Sequence, residues 1–432
     1  MGANLHLKKI INVAIAKILV LAMSFFVMVI LARGLGADVR GHFAIILLLP
    51  NLLVSLCEGG MRQATTYLIG KARYPTNQIV TALRVFILFT SVIGMAIVYY
   101  CQTMIVSFEV SKGVLLLSSL LLPISLWISA NRGILLGYEK TDKFSKTLWW
   151  PRLIYLLVIS ALYYVDKLNL FSVILSYIMM FTINLLQTIF YIIPLNQGVF
   201  SFKKNVLVDM LKLGFIYCIS LFFIDANYKI GMLISQHTLS PNELGNYAVT
   251  IQFVELLWQV PAAIAIVLFS KSSNTKNYDI NWFKMIQKTC RIQISISVIV
   301  SILISICSSW LFPLILGSSY QLVGKMFVFL IPGIVFMSMF KILNVDLAGQ
   351  GKPYISLKFM PFILGITGLL AYFLSISYGY IGLCVSVTIS YILSTMLMVW
   401  QYNKTTGVDL KIMDYFFVNR HDISEISSYI RR

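Results

Sequence analysis

Charged side chains stand where this sequence leaves little water to receive them. Inside or close to long apolar runs lie Lys17, Glu58, Arg62, Arg84, Arg152, Asp225, Lys229, Glu255, Arg291, Lys341 and Asp346. Near the centre of a bilayer such a group costs at least roughly 2.5–3.5 kcal/mol, so a residue kept there needs a partner, an aqueous cavity or a task. In the first half of the chain Lys17, Arg62, Arg84 and Arg152 are set against a single acid, Glu58. That excess describes a cationic cavity suited to an anionic ligand such as a phosphate or pyrophosphate. Lys17 is the hardest to assign to structure alone, because it lies about 10 Å into the first apolar run at 1.5 Å per residue. Plainer readings stand beside the others. Arg84, Arg152, Arg291 and Lys341 have stems long enough to snorkel to an interface. Glu58 with Arg62, and Asp225 with Lys229, are one helical turn apart and suit structural ion pairs. Asp225 and Glu255 also have the chemistry to exchange H⁺ or hold Na⁺, and so to couple a movement to an ion gradient. No catalytic or metal-binding set accompanies these charges. His6, His42, His237 and His421 are dispersed, the six cysteines lack paired spacing, and no phosphate-cradling glycine loop occurs.

The elements that position these groups follow from composition. The chain has 432 residues, 59% hydrophobic and 12% charged. Soluble domains carry roughly 45–50% and about 25%. So few charges cannot cover a water-facing surface. A spanning helix takes about 20 apolar residues, and the runs here are continuous rather than alternating, which predicts helices and excludes a barrel. Spans are expected near 10–32, 43–66, 80–101, 113–131, 148–165 and 169–194, then 210–235, 247–269, 291–312, 325–348, 355–377 and 380–402. The fold class is therefore an all-α polytopic membrane protein of about twelve transmembrane helices. The first run follows Lys8 and Lys9 and is too long for a signal segment of roughly 7–15 apolar residues, so it reads as a retained span.

The net charge of +18 does not point to nucleic acid, since the basic residues fall in short clusters between apolar runs with no recognition motif. It sorts by side instead. With the N-terminus inside, the predicted outside segments hold only Arg33, Arg40, Lys112, Lys167 and Lys325, while most other basic residues, from Lys71 and Arg73 to Lys404, fall inside. Both termini are then cytoplasmic.

A faint repeat divides the chain. Gly34-Leu35-Gly36-Ala37-Asp38-Val39-Arg40-Gly41-His42-Phe43-Ala44 follows the first span, and Leu239-Ser240-Pro241-Asn242-Glu243-Leu244-Gly245-Asn246-Tyr247-Ala248 follows the seventh. Both place Gly–polar–aromatic–Ala where a short outside turn re-enters the membrane, which predicts parallel six-helix halves. The expected organisation is an N-terminal lobe over 1–200, a C-terminal lobe over 201–402 and a cytoplasmic tail over 403–432.

Two stretches carry a family resemblance: Leu31-Ala32-Arg33-Gly34-Leu35-Gly36 with Gly41-His42-Phe43-Ala44, and the segment from Asp225 through Ile230-Gly231, Leu233-Ile234-Ser235, Leu244-Gly245-Asn246-Tyr247-Ala248 and Glu255 to Pro261. Over its whole length the chain resembles O-antigen and polysaccharide flippases of the Wzx type, in the multidrug/oligosaccharidyl-lipid/polysaccharide (MOP) exporter superfamily. The resemblance implies two lobes around a polar cavity and alternating access. It implies an undecaprenyl-pyrophosphate-linked oligosaccharide as cargo, handled in a bacterial inner membrane beside a glycan polymerase and chain-length machinery. It gives the pyrophosphate to basic residues, a role carried here to Lys17, Arg62, Arg84 and Arg152. Rival readings are a cation-coupled drug or metabolite antiporter of the same superfamily, a flippase for another lipid-linked headgroup, and a membrane glycan polymerase or ligase. The last is disfavoured by outside loops of only about 8–15 residues, ordinary connections with no room for a catalytic site.

Overall fold

A computed structural model describes residues 2–407 except 107, 196–198 and most positions of 260–277, with side chains from residue 16 onward. The tail positions Lys411, Arg420, Arg431 and Arg432, together with Lys271, Lys276 and the side chains of Lys8 and Lys9, lie outside the described residues. Among the described residues the chain is helical and contains no strand.

The described helices include α1 (Gly2–Cys57), α2 (Met61–Gly70), α3 (Thr76–Ile105), α4 (Lys112–Ser119), α5 (Leu121–Gly137), α6 (Thr141–Tyr164), α7 (Leu170–Ile192), α8 (Lys204–Thr238), α9 (Pro241–Leu257), α10 (Ile280–Leu316), α11 (Gln321–Gly349), α12 (Tyr354–Leu357) and α13 (Met360–Thr406). Eight helical segments are long and apolar enough to cross a membrane. Two of these hold two passes each. As a straight rod α1 would measure about 84 Å, against a hydrocarbon core of about 30 Å. It is broken at Gly36 (φ 72, ψ 172), a left-handed conformation that glycine adopts without strain. In α13 the break is Gly379 (φ 58, ψ −140), and a Cβ on Gly382 would collide with the Leu374 carbonyl. In a continuous helix those two residues would stand about 12 Å apart, so the chain has turned back. With α6, whose basic inner half lowers its hydropathy, and α9 with its continuation, the passes number twelve in two six-helix lobes.

By packing, the chain forms two compact units. The first runs from the N-terminus to Val249 and takes in Ile315–Ser319; the second comprises Thr250–Leu314 and the chain from Tyr320. The helix α8 thus groups with the helices before it, although the repeat pairs it with those that follow. The reason lies in small residues. The second pass is interrupted after Cys57 by Gly59 (φ 59) and Gly60 (φ 68), and a Cβ on Gly60 would meet the carbonyl of Gly214 on α8 and lie 2.6 Å from its Cα. Beside that contact the Cys218 thiol donates to the carbonyls of Ser55 (3.5 Å) and Leu56 (3.4 Å). At its inner end α8 is tied by Asp209, which accepts from the Tyr74 hydroxyl at 2.7 Å and pairs with Arg73 at 3.4 Å. That hydrogen bond holds the Tyr74 phenol above its ordinary pKa. Lipid tails are as apolar as leucine, so helices in a bilayer associate by close packing and hydrogen bonds, and glycine allows the closest approach.

In the second unit Phe253, Phe312 and Phe327 pack edge-on, with centroids 5.1 and 5.7 Å from Phe253. Asp346, which is 0% exposed, knots the inner ends of three helices. Its carboxylate accepts from Trp282 Nε1 (3.2 Å), Gln350 Nε2 (2.7 Å) and the Tyr402 hydroxyl (2.7 Å). Removing the acceptor strands buried donors. We expect Asp346→Ala to destabilise the protein by about 3 kcal/mol, read as a lower unfolding temperature in detergent, with Asp346→Asn in between.

A cationic cluster as candidate functional site

Three guanidiniums converge in the first unit. Arg132, on α5, sends Nε to the Thr147 hydroxyl (3.0 Å) and a terminal nitrogen to the Thr147 carbonyl (2.7 Å) on α6. With the Asn184 amide turned so that its oxygen faces the guanidinium, that oxygen accepts from the same nitrogen (3.2 Å) and the amide nitrogen donates to the Thr147 carbonyl (3.3 Å). All these acceptors are neutral. Arg132 is held in place, but its charge is not cancelled. It lies within electrostatic reach of both Arg62 and Arg152.

Arg62 occupies the first turn of α2. Gly60, the residue before that helix, gives it no side-chain cap, and the helix dipole adds positive potential at this end. Among the described residues the acid paired with Arg62 is Glu58. Its carboxylate lies 3.6 Å from Arg62 Nε and accepts a 2.8 Å hydrogen bond from Ser129. Ser129 therefore holds the carboxylate more tightly than Arg62 does. The Arg62 side chain stays 39% exposed, against 13% for Glu58. Although the two residues are one turn apart in number, the Gly59–Gly60 break separates them, so their pairing is a property of the break and not of a regular helix. Arg152, on α6, donates to the Ser24 hydroxyl on α1. Lys17 is two turns earlier on the same face of α1 as Ser24, about 10 Å along the axis.

Measured along their helices from the inner ends, Arg132, Arg62 and Arg152 lie about 8, 12 and 16 Å deep at 1.5 Å per residue. The cluster is a ladder of positive charge from the inner interface towards mid-bilayer. It can hold an anion with several oxygens, since guanidinium forks bind phosphate groups in pairs of hydrogen bonds.

The structure thus brings together Arg62, Arg152 and Glu58, with Lys17 on the continuing face of α1. Arg84 stands apart. It lies on the exposed stripe of α3 that continues through Leu88 (59% exposed) and Val92 (66%). Asp225 and Lys229, on α8, are both half-buried, and no hydrogen bond or ion pair joins them, so the pairing suggested by their spacing is not made. Glu255 belongs to the second unit, within electrostatic reach of Tyr391, whose ring packs 5.5 Å from Trp258. Lys341 lies over the other part of that group, 4.5 Å from the Trp258 ring centroid. Sequence reasoning missed Arg132 as a site residue by counting it among the inside charges. The signal was its neighbour Asn131 together with Asn184 and Thr188, amides and a hydroxyl inside apolar runs; Asn131 donates to Thr188 at 3.0 Å. No group of three or more His, Cys, Asp or Glu side chains able to hold a metal occurs among the described residues.

Comparison with known proteins places the fold. No family model matches the chain, and no curated protein sequence matches it. Among solved structures, an inward-closed form of the lipid II flippase MurJ superposes with a TM-score of 0.74 at 13% identity, covering 94% of this chain and 89% of that one. An inward-facing multidrug-resistance MATE family transporter of the MOP superfamily gives 0.72 at 11% identity, covering 90% and 95%. An outward-facing MATE family transporter gives 0.64 at 13% identity, covering 94% and 97%. The chain has the fold of MOP superfamily transporters and is a multi-pass membrane protein.

Glu58 is the cluster's one carboxylate, and Glu58→Gln keeps an acceptor for Ser129 while removing the negative charge beside Arg62. We expect its affinity for inorganic pyrophosphate, titrated by calorimetry on the purified protein, to rise about tenfold, a change of about 1.4 kcal/mol.

Proposed function

We propose that this protein is a flippase that carries an undecaprenyl-pyrophosphate-linked oligosaccharide, such as an O-antigen repeat unit, from the cytoplasmic to the outer face of a bacterial inner membrane. The observation that carries the reading is the ladder Arg132, Arg62 and Arg152, extended by Lys17 and opposed by one acid. A diphosphate headgroup is a strong anion that must leave water to cross the bilayer. Fixed guanidiniums replace its lost hydration. Because Arg132 is already anchored by Thr147 and Asn184, little side-chain entropy is lost when an anion arrives. The polyprenyl tail remains in lipid throughout, so only the headgroup and its sugars need a polar route. Movement is alternating access, with no bond made or broken. Asp225 and Glu255 are the carboxylates open to H⁺ or Na⁺ coupling, and unchanged transport in Asp225→Asn and Glu255→Gln would remove that role. A glycan polymerase and chain-length machinery would consume the delivered units.

A second reading, a drug or metabolite antiporter, has the same fold in its favour. The sign of the cluster favours the anionic cargo, because a carrier of cationic drugs would be expected to show net acid there.

The test follows surface glycan and the intracellular pool of lipid-linked repeat units in a host lacking the gene. Loss of surface polymer, with undecaprenyl-linked units trapped on the cytoplasmic face, is the expected result. Restoration by the wild type but at least tenfold less by Arg62→Ala, Arg132→Ala or Arg152→Ala ties the activity to the cluster. Unchanged surface glycan in the deletion strain would favour the antiporter.

A further inference from the structure

Polar residues recur turn by turn along one face of α10. Gln293, Ser297 and Ser301 stand four residues apart, and the exposed Ile299, Leu303 and Ile306 occupy the opposite face. The polar face is turned to its neighbours within the second unit. Gln293 Nε2 donates to the Ser297 hydroxyl (3.0 Å), which donates to the Ser338 hydroxyl of α11 (3.3 Å). Ser338 itself donates to the Ile334 carbonyl (2.9 Å). That carbonyl also accepts from Nε1 of Trp258, just past the end of α9, at 3.3 Å. Three helices are joined by this circuit. Trp258, Ser301 and Ile334 lie near the middle of the spans expected at 247–269, 291–312 and 325–348.

The circuit is incomplete at one atom. Gln293 is 1% exposed, and its Oε1 accepts no hydrogen bond from the described residues. A buried amide oxygen without a donor has given up its hydration and gained nothing in return. Gln293 lines a cavity of about 40 Å³ together with Ser297, Ser301 and Ser338, and Trp258 and Ile334 belong to its walls. A water molecule takes about 30 Å³ of the liquid and needs two to four polar partners, so the cavity has room for one. The lining disfavours other occupants. It contains no carboxylate, and Lys341 Nζ rests 4.5 Å from the ring centroid of Trp258, so a metal ion would enter a neutral site near a positive charge. An anion would face the lone pairs of Gln293. A sugar or a lipid headgroup is too large.

We propose that this cavity is a binding site for one water molecule, which donates to Gln293 Oε1 and exchanges hydrogen bonds with the hydroxyls of Ser301 and Ser338. A hydroxyl both donates and accepts, so the second proton of the water and its lone pairs find partners there. At mid-bilayer the bound molecule is a ligand of the fold and not a sample of bulk solvent. It ties α10 to α11 and, through the Ile334 carbonyl, to Trp258. Behind Trp258 it supports the ring on which Lys341 rests. The site belongs to the second unit alone and depends neither on the cationic cluster nor on the cargo.

The sign of one stability change separates a wet site from a dry one. Ser301→Val fills the cavity with carbon. In a dry cavity that filling raises the unfolding temperature. With water bound, it displaces the molecule and strands Gln293, and we expect the unfolding temperature in detergent to fall by about 3 °C. An unchanged or higher temperature overturns the proposal. The wild type supplies a direct measurement that needs no variant. A cryo-electron microscopy map at a resolution that shows ordered solvent should contain one peak about 2.8 Å from Gln293 Oε1. A featureless cavity overturns the site. Replacing sodium by choline in the buffer identifies the peak. An unfolding temperature that depends on sodium in the wild type but not in Ser301→Val assigns it to a cation and overturns the water.

Discussion

An arginine inside a membrane protein has to recover the hydration it gave up, and this requirement organises the first unit. Arg132 meets it with the hydroxyl and carbonyl of Thr147 and the amide of Asn184. Those partners are neutral, so the guanidinium is satisfied as a donor but not as a charge. The remaining positive potential falls on Arg62 and Arg152, and each has its own modest anchor, Glu58 and Ser24. A carboxylate held against every arginine would have made a stable but inert core. One carboxylate shared with Ser129 leaves the cluster with more cations than anions.

The backbone answers to the same solvent. With no water in the hydrocarbon, an interrupted helix is tolerated only where protein covers the exposed groups. The Gly59–Gly60 break meets that condition by lying against Gly214 of α8, and the outer turns meet it by lying against one another. Hydrophobic burial does not distinguish one helix partner from another in lipid, so closeness decides, and closeness belongs to the smallest residues. This is why α8 packs as part of the first unit. It is also why the break carries Arg62 at the head of α2, where the helix dipole adds to its positive charge.

How far the sequence could be read depended on which physical scale set each feature. The spans could be placed from the chain alone because bilayer thickness dictates their length, and the breaks at Gly36 and Gly379 fall between spans expected on either side. Arg62 and Arg152 could be marked because a charge deep in an apolar run is costly whatever its neighbours are. Arg132 could not, because about 8 Å from an interface a long side chain can reach water, and the sequence does not show that Thr147 and Asn184 hold it inside. Arg84 shows the converse. Its depth resembles that of the others, but the rotation of α3 turns it onto the stripe of Leu88 and Val92. Asp225 and Lys229 have the spacing of an ion pair and make none, since rotamers and neighbours decide whether two charges one turn apart meet.

What the sequence by itself determined was the solvent and the number of the crossings. Each follows from a cost paid residue by residue against a slab of known thickness. Tertiary structure alone decided which charges meet, which acid stands beside which arginine, and that two glycines 204 positions apart, Gly41 and Gly245, lie in contact. Those outcomes depend on helix rotation and on distances of a few tenths of an ångström, set by how neighbouring surfaces fit together, and no local run of residues encodes them.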